Sequence, residues 1–170
     1  MQQFDGAALL SELSERGIRH VVVGGFAVIA HGVIRTTKDL DICPDPEPAN
    51  LERLAALLMD AEAVQLGVGD GFEPEEMPLD PRRPGDLAQG GNFRLKTSHG
   101  SLDIMQWLAG IDADHAYALL AADAVDGTVA GIDVRVASLG NLRRMKRAAG
   151  RPQDLEDLRQ LDLAHGSPPA

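Results

Sequence analysis

The stretch that most constrains this chain is Val21-Val22-Val23-Gly24-Gly25, followed at short range by Asp39-Leu40-Asp41-Ile42. Three β-branched residues in a row predict a buried strand. The glycine pair lets the backbone turn through positive φ and lets a ligand approach bare backbone. Phe26 to Ala30 then reads as the opening of a helix, whose free N–H groups attract phosphate. Asp39 and Asp41 alternate with apolar residues, so on a strand both carboxylates share one face. Residues two apart on a strand are separated by ~6–7 Å. Two carboxylates at that spacing suit one divalent cation, or two ions ~4 Å apart, and with them phosphoryl-type chemistry.

In order and spacing, Gly24-Gly25-Phe26-Ala27-Val28, His31-Gly32 and Arg35-Thr36-Thr37-Lys38-Asp39-Leu40-Asp41-Ile42 resemble the nucleotidyltransferase superfamily of the DNA polymerase β type. The form is most similar to its small prokaryotic branch, which includes AbiEii-type toxins and lincosamide or aminoglycoside nucleotidyltransferases. The resemblance is dense over about 20 residues and looser to about residue 160. It implies an α/β fold in the α+β sense: a mixed β-sheet with packed helices and a C-terminal helical segment. It also implies transfer of a nucleoside monophosphate from an NTP to an acceptor hydroxyl, with Mg²⁺ or Mn²⁺ as cofactor.

The same resemblance distributes roles. Asp39 and Asp41 would hold the nucleotide-associated ion. Asp103, in the apolar run Leu102-Asp103-Ile104-Met105, matches the third carboxylate, which would hold a second ion and help deprotonate the acceptor. Its alternative is an edge-strand surface residue. Gly24 and Gly25 would contact the β- and γ-phosphates through backbone N–H groups, a role compatible with a structural turn. Arg35, Thr36 and Lys38 are candidates for the triphosphate, or else a solvated loop. Lys146, with Gly150-Arg151 and the acidic pair Asp154 and Asp157, matches a toxin-type pattern in which the lysine neutralises nucleotide phosphate. The alternative is internal pairing with Asp154, Glu156 and Asp157, and surface pairs of that kind contribute little.

At 170 residues the chain has the length of one domain, expected over 1–165, with a frayed tail at 166–170. A formal charge of −10 excludes a general nucleic-acid coat, because neutralising phosphate dominates such binding. Cys43 is the only cysteine, so no intrachain disulfide can form, which fits a reducing cytoplasmic setting. No apolar run is long enough to span a membrane. The five histidines are isolated from one another, so no zinc site is indicated.

Along the chain, helices are expected at 5–16, 25–32, 49–63, 112–122, 138–149 and 153–164. Strands are expected at 18–23, 39–43, 93–97, 102–106, 124–130 and 132–137. The Gly- and Pro-rich stretch 67–92 reads as a long flexible loop or a flap, in which Arg82 and Arg83 either reach substrate phosphates or are solvated. On the helix after Ser138, Leu142, Met145 and Ala149 form the expected packed face, with Arg143, Lys146 and Arg147 on another. On the last helix Leu155, Leu158 and Leu161 are expected to face inward. Trp107 and Tyr117 read as packing residues, although Trp107 ends the Asp103 strand and could border the site.

Partners follow from the resemblance: an NTP, an acceptor that is RNA (perhaps a tRNA 3′ end) or a small molecule, and a cognate antitoxin or a second copy of the chain. A small-molecule (antibiotic) nucleotidyltransferase is the alternative within the class. A non-catalytic nucleotide- or protein-binding module is the alternative outside it, disfavoured by the complete set of three aspartates. A dinucleotide-binding fold lacks the third glycine of Gly-x-Gly-x-x-Gly.

Overall fold

Val21, Val22 and Val23 do form a buried strand, and the whole sheet grows outward from it. The fold is described from a computed structural model covering residues 3–67, 78–113 and 116–169. Strand β1 (His20–Val23) lies antiparallel to β2 (Asp39–Pro44), and β2 lies parallel to β5 (Gly100–Met105). On one flank β5 pairs with β4 (Asn92–Thr97), which pairs with the short edge strand β3 (Val64–Gln65). On the other flank β1 runs parallel to β7 (Ile132–Val136), which forms a hairpin with β6 (Val125–Val129). The order is β3-β4-β5-β2-β1-β7-β6, a mixed sheet.

Side-chain alternation gives the sheet two chemically different faces. Leu40, Ile42, Leu102, Ile104, Phe93, Leu95 and Val22 fall on one face and are buried. Helices α1 (Gly6–Glu15) and α3 (Pro48–Asp60) add Leu9, Leu10, Leu13, Leu51, Leu54 and Leu58 to the same core. Both helices start on side-chain caps: Asp5 accepts from Ala8 N, and Glu47 accepts from Ala49 and Asn50 N ahead of Pro48. Buried Asn50 ties the sheet to α3. Its Oδ1 accepts from Arg19 N at 2.7 Å, and its Nδ2 donates to the carbonyls of Arg19 and Asp45, both at 2.9 Å.

Helix α2 (Gly24–Ala30) follows β1 without a linker. At its end His31 is fixed by a contact from Nε2 to the Ala137 carbonyl at 2.8 Å. Ser138 caps α6 (Leu139–Ala149) through Asn141 N, and Gly150 closes it in the left-handed conformation. Pro152 then opens α7 (Pro152–His165). Helix α5 (Ala116–Asp123) packs against β1 and β2.

Several expectations are corrected. The stretch 67–92 is not one long loop: α4 (Pro84–Ala88) forms within it and buries Leu87 completely, while 68–77 lie outside the described residues. Arg82 is held by Asp80 rather than free. On α6, Arg143 and Lys146 are buried beside Leu142 and Met145, and Ala149 is exposed. On α7 the inward face carries Asp154, Asp157 and Leu161, while Leu155 stands in solvent. In both helices buried ion pairs outweigh the leucine pattern. Gly166, expected in the frayed tail, accepts a hydrogen bond from Arg143 and donates to Asp162 O at 2.8 Å. Among the described residues no helix is long and apolar enough to cross a membrane.

Candidate active site

Register, rather than sequence proximity, assembles the carboxylates. In the parallel pair β2–β5, Asp41 lies directly opposite Asp103, and Asp39 opposite Ser101. Alternation puts all three aspartates on the sheet face opposite the apolar core. The position expected for Asp103 is thus realised on a central strand, not at an edge. Arg94, opposite Asp103 on β4, approaches its carboxylate at 3.8 Å. The Thr37 hydroxyl donates to Asp39, to the carbonyl at 3.1 Å and to Oδ1 at 3.3 Å.

Like charges brought together and desolvated resist ionisation. Burial, then Asp39 and Asp103, push the Asp41 carboxyl up to about 7, against the opposing pull of Lys146 and Arg151. Burial, then Asp39, push Asp103 up to about 6, with Arg94 opposing. Such a cluster is stabilised by added positive charge.

Gly24 sits over Asp41. Its φ is +65°, and a Cβ there would lie 2.1 Å from Asp41 Oδ2. Conformation and space therefore both require glycine at this position. A Cβ on Gly25 would meet the Thr37 hydroxyl at 2.7 Å and Arg35 Nη2 at 3.4 Å. The diglycine turn thus brings Asp41, Thr37 and Arg35 to one place.

The remaining candidates divide. Arg35 Nη1 is bound to both oxygens of buried Asp157, at 2.7 and 2.6 Å, which ties the 33–38 loop to α7. Lys146 is buried between Asp154 at 2.9 Å and Asp157 at 2.8 Å, so the internal pairing left open by the sequence is realised, with Glu156 instead paired to Arg159. Arg151 closes the network on Asp154 at 2.7 Å. Thr36 and Lys38 are exposed. A small cavity of about 110 Å³ between Gly24, Asp41, Met145, Lys146 and Arg151 connects this network to the carboxylates. Arg94 and Thr37 were not singled out from sequence. A donor two residues before Asp39 was the available signal for Thr37, whereas Arg94 reaches Asp103 only through strand pairing.

Among the described residues no group of three or more His, Cys, Asp or Glu side chains is placed so that it could hold a metal ion by itself. The donor set nevertheless fits a hard cation. Mg²⁺ is bound by one or two carboxylates plus substrate phosphates rather than by an all-protein cage. The pKa values of Asp41 and Asp103 are raised by burial first and by neighbouring carboxylates second, and a bound cation would offset the second cause.

No protein-family model matches the chain, and no curated protein matches it in sequence. Solved structures do. The solution structure of the antibiotic-resistance factor ANT(2″)-Ia aligns with a TM-score of 0.55 at 18% identity, over 93% of this chain and 80% of that one. The crystal structure of ANT(2″)-Ia in complex with adenylyl-2″-tobramycin aligns with a TM-score of 0.52 at 18% identity, over 92% and 84%. Over most of its length, then, this chain shares the mixed-sheet α/β fold of those structures.

Proposed function

We propose that the chain transfers a nucleoside monophosphate from an NTP to an acceptor hydroxyl, with release of pyrophosphate. The observation that carries this reading is the face-to-face placement of Asp41 and Asp103, with Asp39 beside them, beneath the diglycine turn. Asp39, Asp41 and Asp103 are the residues that would hold Mg²⁺ or Mn²⁺, which when bound would offset charge on the transferring phosphoryl group. The backbone of Gly24 and Gly25 would meet the outer phosphates, with Arg35 Nη2 alongside. Asp103, opposite Asp41 and with Arg94 at 3.8 Å, is the base we assign to the acceptor hydroxyl, its carboxyl pushed up to about 6 by burial and by Asp39. Lys146 acts chiefly by compensating Asp154 and Asp157 and by adding positive potential near Asp41. Thr36 and Lys38 contribute solvated donors at the edge.

The toxin-like spacing of the motif supports RNA as acceptor, with a cognate protein partner as its corollary. The second reading is a small-molecule hydroxyl, favoured by one observation: a structural neighbour is complexed with adenylyl-2″-tobramycin.

The test is transfer of label from each NTP carrying a radioactive α-phosphate, with Mg²⁺, into total tRNA, a small-molecule extract or an aminoglycoside. Label entering one pool and lost with Asp41→Ala supports the proposal and identifies the acceptor. Absence of label from every pool, with no NTP binding, refutes it.

A further inference from the structure

Beyond the carboxylates, on the same sheet face, lies a cleft of about 470 Å³ that the chemistry above leaves unused. Cys43, two residues beyond Asp41, forms part of its floor, and Gln106 and Trp107, just past β5, form one wall. Pro44, Pro46, Gln89 and Tyr117 complete the surround.

Three observations point to a ligand. The first is Trp107, which is 61% exposed, although burying so large a ring would ordinarily be favourable. Its exposure is not slack. Asn92 holds the backbone beneath it, accepting from Gln106 N at 2.9 Å and Trp107 N at 3.0 Å and donating to Trp107 O at 2.9 Å. The indole also lies against bare backbone, 3.7 Å from where a Cβ on Gly90 would stand. The second is Gln106. Its amide nitrogen donates to Leu87 O at 3.0 Å, which fixes the amide orientation and leaves Oε1 buried with no hydrogen-bond partner among the described residues. An orphaned buried acceptor is costly unless something donates to it. The third is charge: none of the described lining residues is ionisable to a charged form near neutrality, and neighbouring Asp45 is turned away onto Arg19 at 2.7 Å.

We infer that this cleft binds an uncharged, planar heteroaromatic ring bearing an amino or ring N–H donor, as a nucleobase does, stacked on Trp107 and donating to Gln106. A polycation finds no counter-charge among the described lining residues. The chemistry of the cleft is independent of the transferase reading. Only its link to the reaction rests on that reading: a ring held here belongs to a ligand that extends along β2 and β5 to Asp41 and Asp103.

Trp107 is the only tryptophan, so its fluorescence, excited at the red edge of its absorption, reports on the cleft directly. Adenosine, cytidine and uridine are titrated without metal, with tobramycin as a ring-free polycation. All three nucleosides carry an amino or ring N–H donor and should quench saturably, and tobramycin should not quench. Gln106→Leu should weaken the nucleoside roughly tenfold, as loss of one good hydrogen bond does. Trp107→Ala, followed by calorimetry, should weaken it at least roughly fivefold. Asp41→Asn should leave this binding intact, which separates it from the fate of the transferase proposal. Two supporting outcomes assign the source. Displacement of the nucleoside by ATP–Mg²⁺ identifies the ring as the donor's own base, and persistence of quenching beside bound ATP–Mg²⁺ identifies it as the acceptor's. No saturable quenching by any nucleoside, stronger quenching by tobramycin, or quenching unchanged in a correctly folded Gln106→Leu protein would overturn the inference.

Discussion

Replacing Asp41 with asparagine should abolish transfer and yet stabilise the metal-free protein at alkaline pH. In the fold the Asp41 carboxyl is raised from 3.8 to about 7 by burial and by Asp39 and Asp103. Between those two values the folded state holds a proton that the unfolded state has released. Stability therefore falls as pH rises through that window and levels off above about 7. An interval of about three pH units at ~1.36 kcal/mol each corresponds to an upper value of roughly 4 kcal/mol. Asparagine keeps the shape, removes the charge and can donate to the neighbouring carboxylates. At pH 8 it should raise stability by about 2–4 kcal/mol, which for a domain of this size is roughly 5–15 °C in Tm. At pH 4 the two proteins should melt within a few degrees of each other. Mg²⁺ should stabilise the wild type at pH 8 and barely affect the variant. Thermal melts of both proteins at three pH values, with EDTA or Mg²⁺, measure all of this. An Asp41→Asn protein less stable than wild type at pH 8 in EDTA would refute the electrostatic reasoning.

Gly24→Ala must place a side chain at positive φ and within 2.1 Å of Asp41 Oδ2. It should cost roughly 1–3 kcal/mol in a denaturant titration and reduce transfer at least about a hundredfold by displacing that carboxylate. Lys146→Ala removes the cation shared by buried Asp154 and Asp157 and leaves them only Arg151 and Arg35, so a loss of about 1.5–3 kcal/mol is expected in the same titration, and a protein of unchanged stability would show that Lys146 is dispensable to the network. Asp103→Asn should lower the rate of transfer with little change in the affinity for NTP–Mg²⁺, a separation visible as a kcat effect without a KM effect for the NTP. Chelation with EDTA should abolish transfer by the wild type, and added Mg²⁺ or Mn²⁺ should restore it.

The central strands were legible because their pattern is local. Val21 to Val23 and the alternation of Asp39, Leu40, Asp41 and Ile42 report burial residue by residue. The pairing of Asp41 with Asp103 was not legible in the same way: more than sixty residues separate them, and strand order and register alone decide whether they meet. The C-terminal helices were misread for a physical reason. Amphipathic reasoning assigns leucines inward and charges outward, whereas Asp154, Asp157 and Lys146 satisfy one another inside, and Leu155 is left in solvent. Buried ion pairs of that kind look like a solvated face in one dimension. Strand β3 has two residues and α4 has five, too few for either to show a period. Trp107 read as a packing residue that could border the site and Gln106 was not singled out, because neither the exposed, anchored indole nor the unpartnered Oε1 is visible before the fold exists.

The central claim is that three aspartates beneath a glycine turn form a site for a nucleotide together with a divalent cation. Calorimetric titration of non-hydrolysable NTP analogues, with Mg²⁺ and with EDTA, into the wild type and Asp41→Asn tests it most directly. The account predicts binding that requires Mg²⁺ and is lost in the variant. Binding that is indifferent to both the cation and Asp41, or no binding of any NTP, would contradict it.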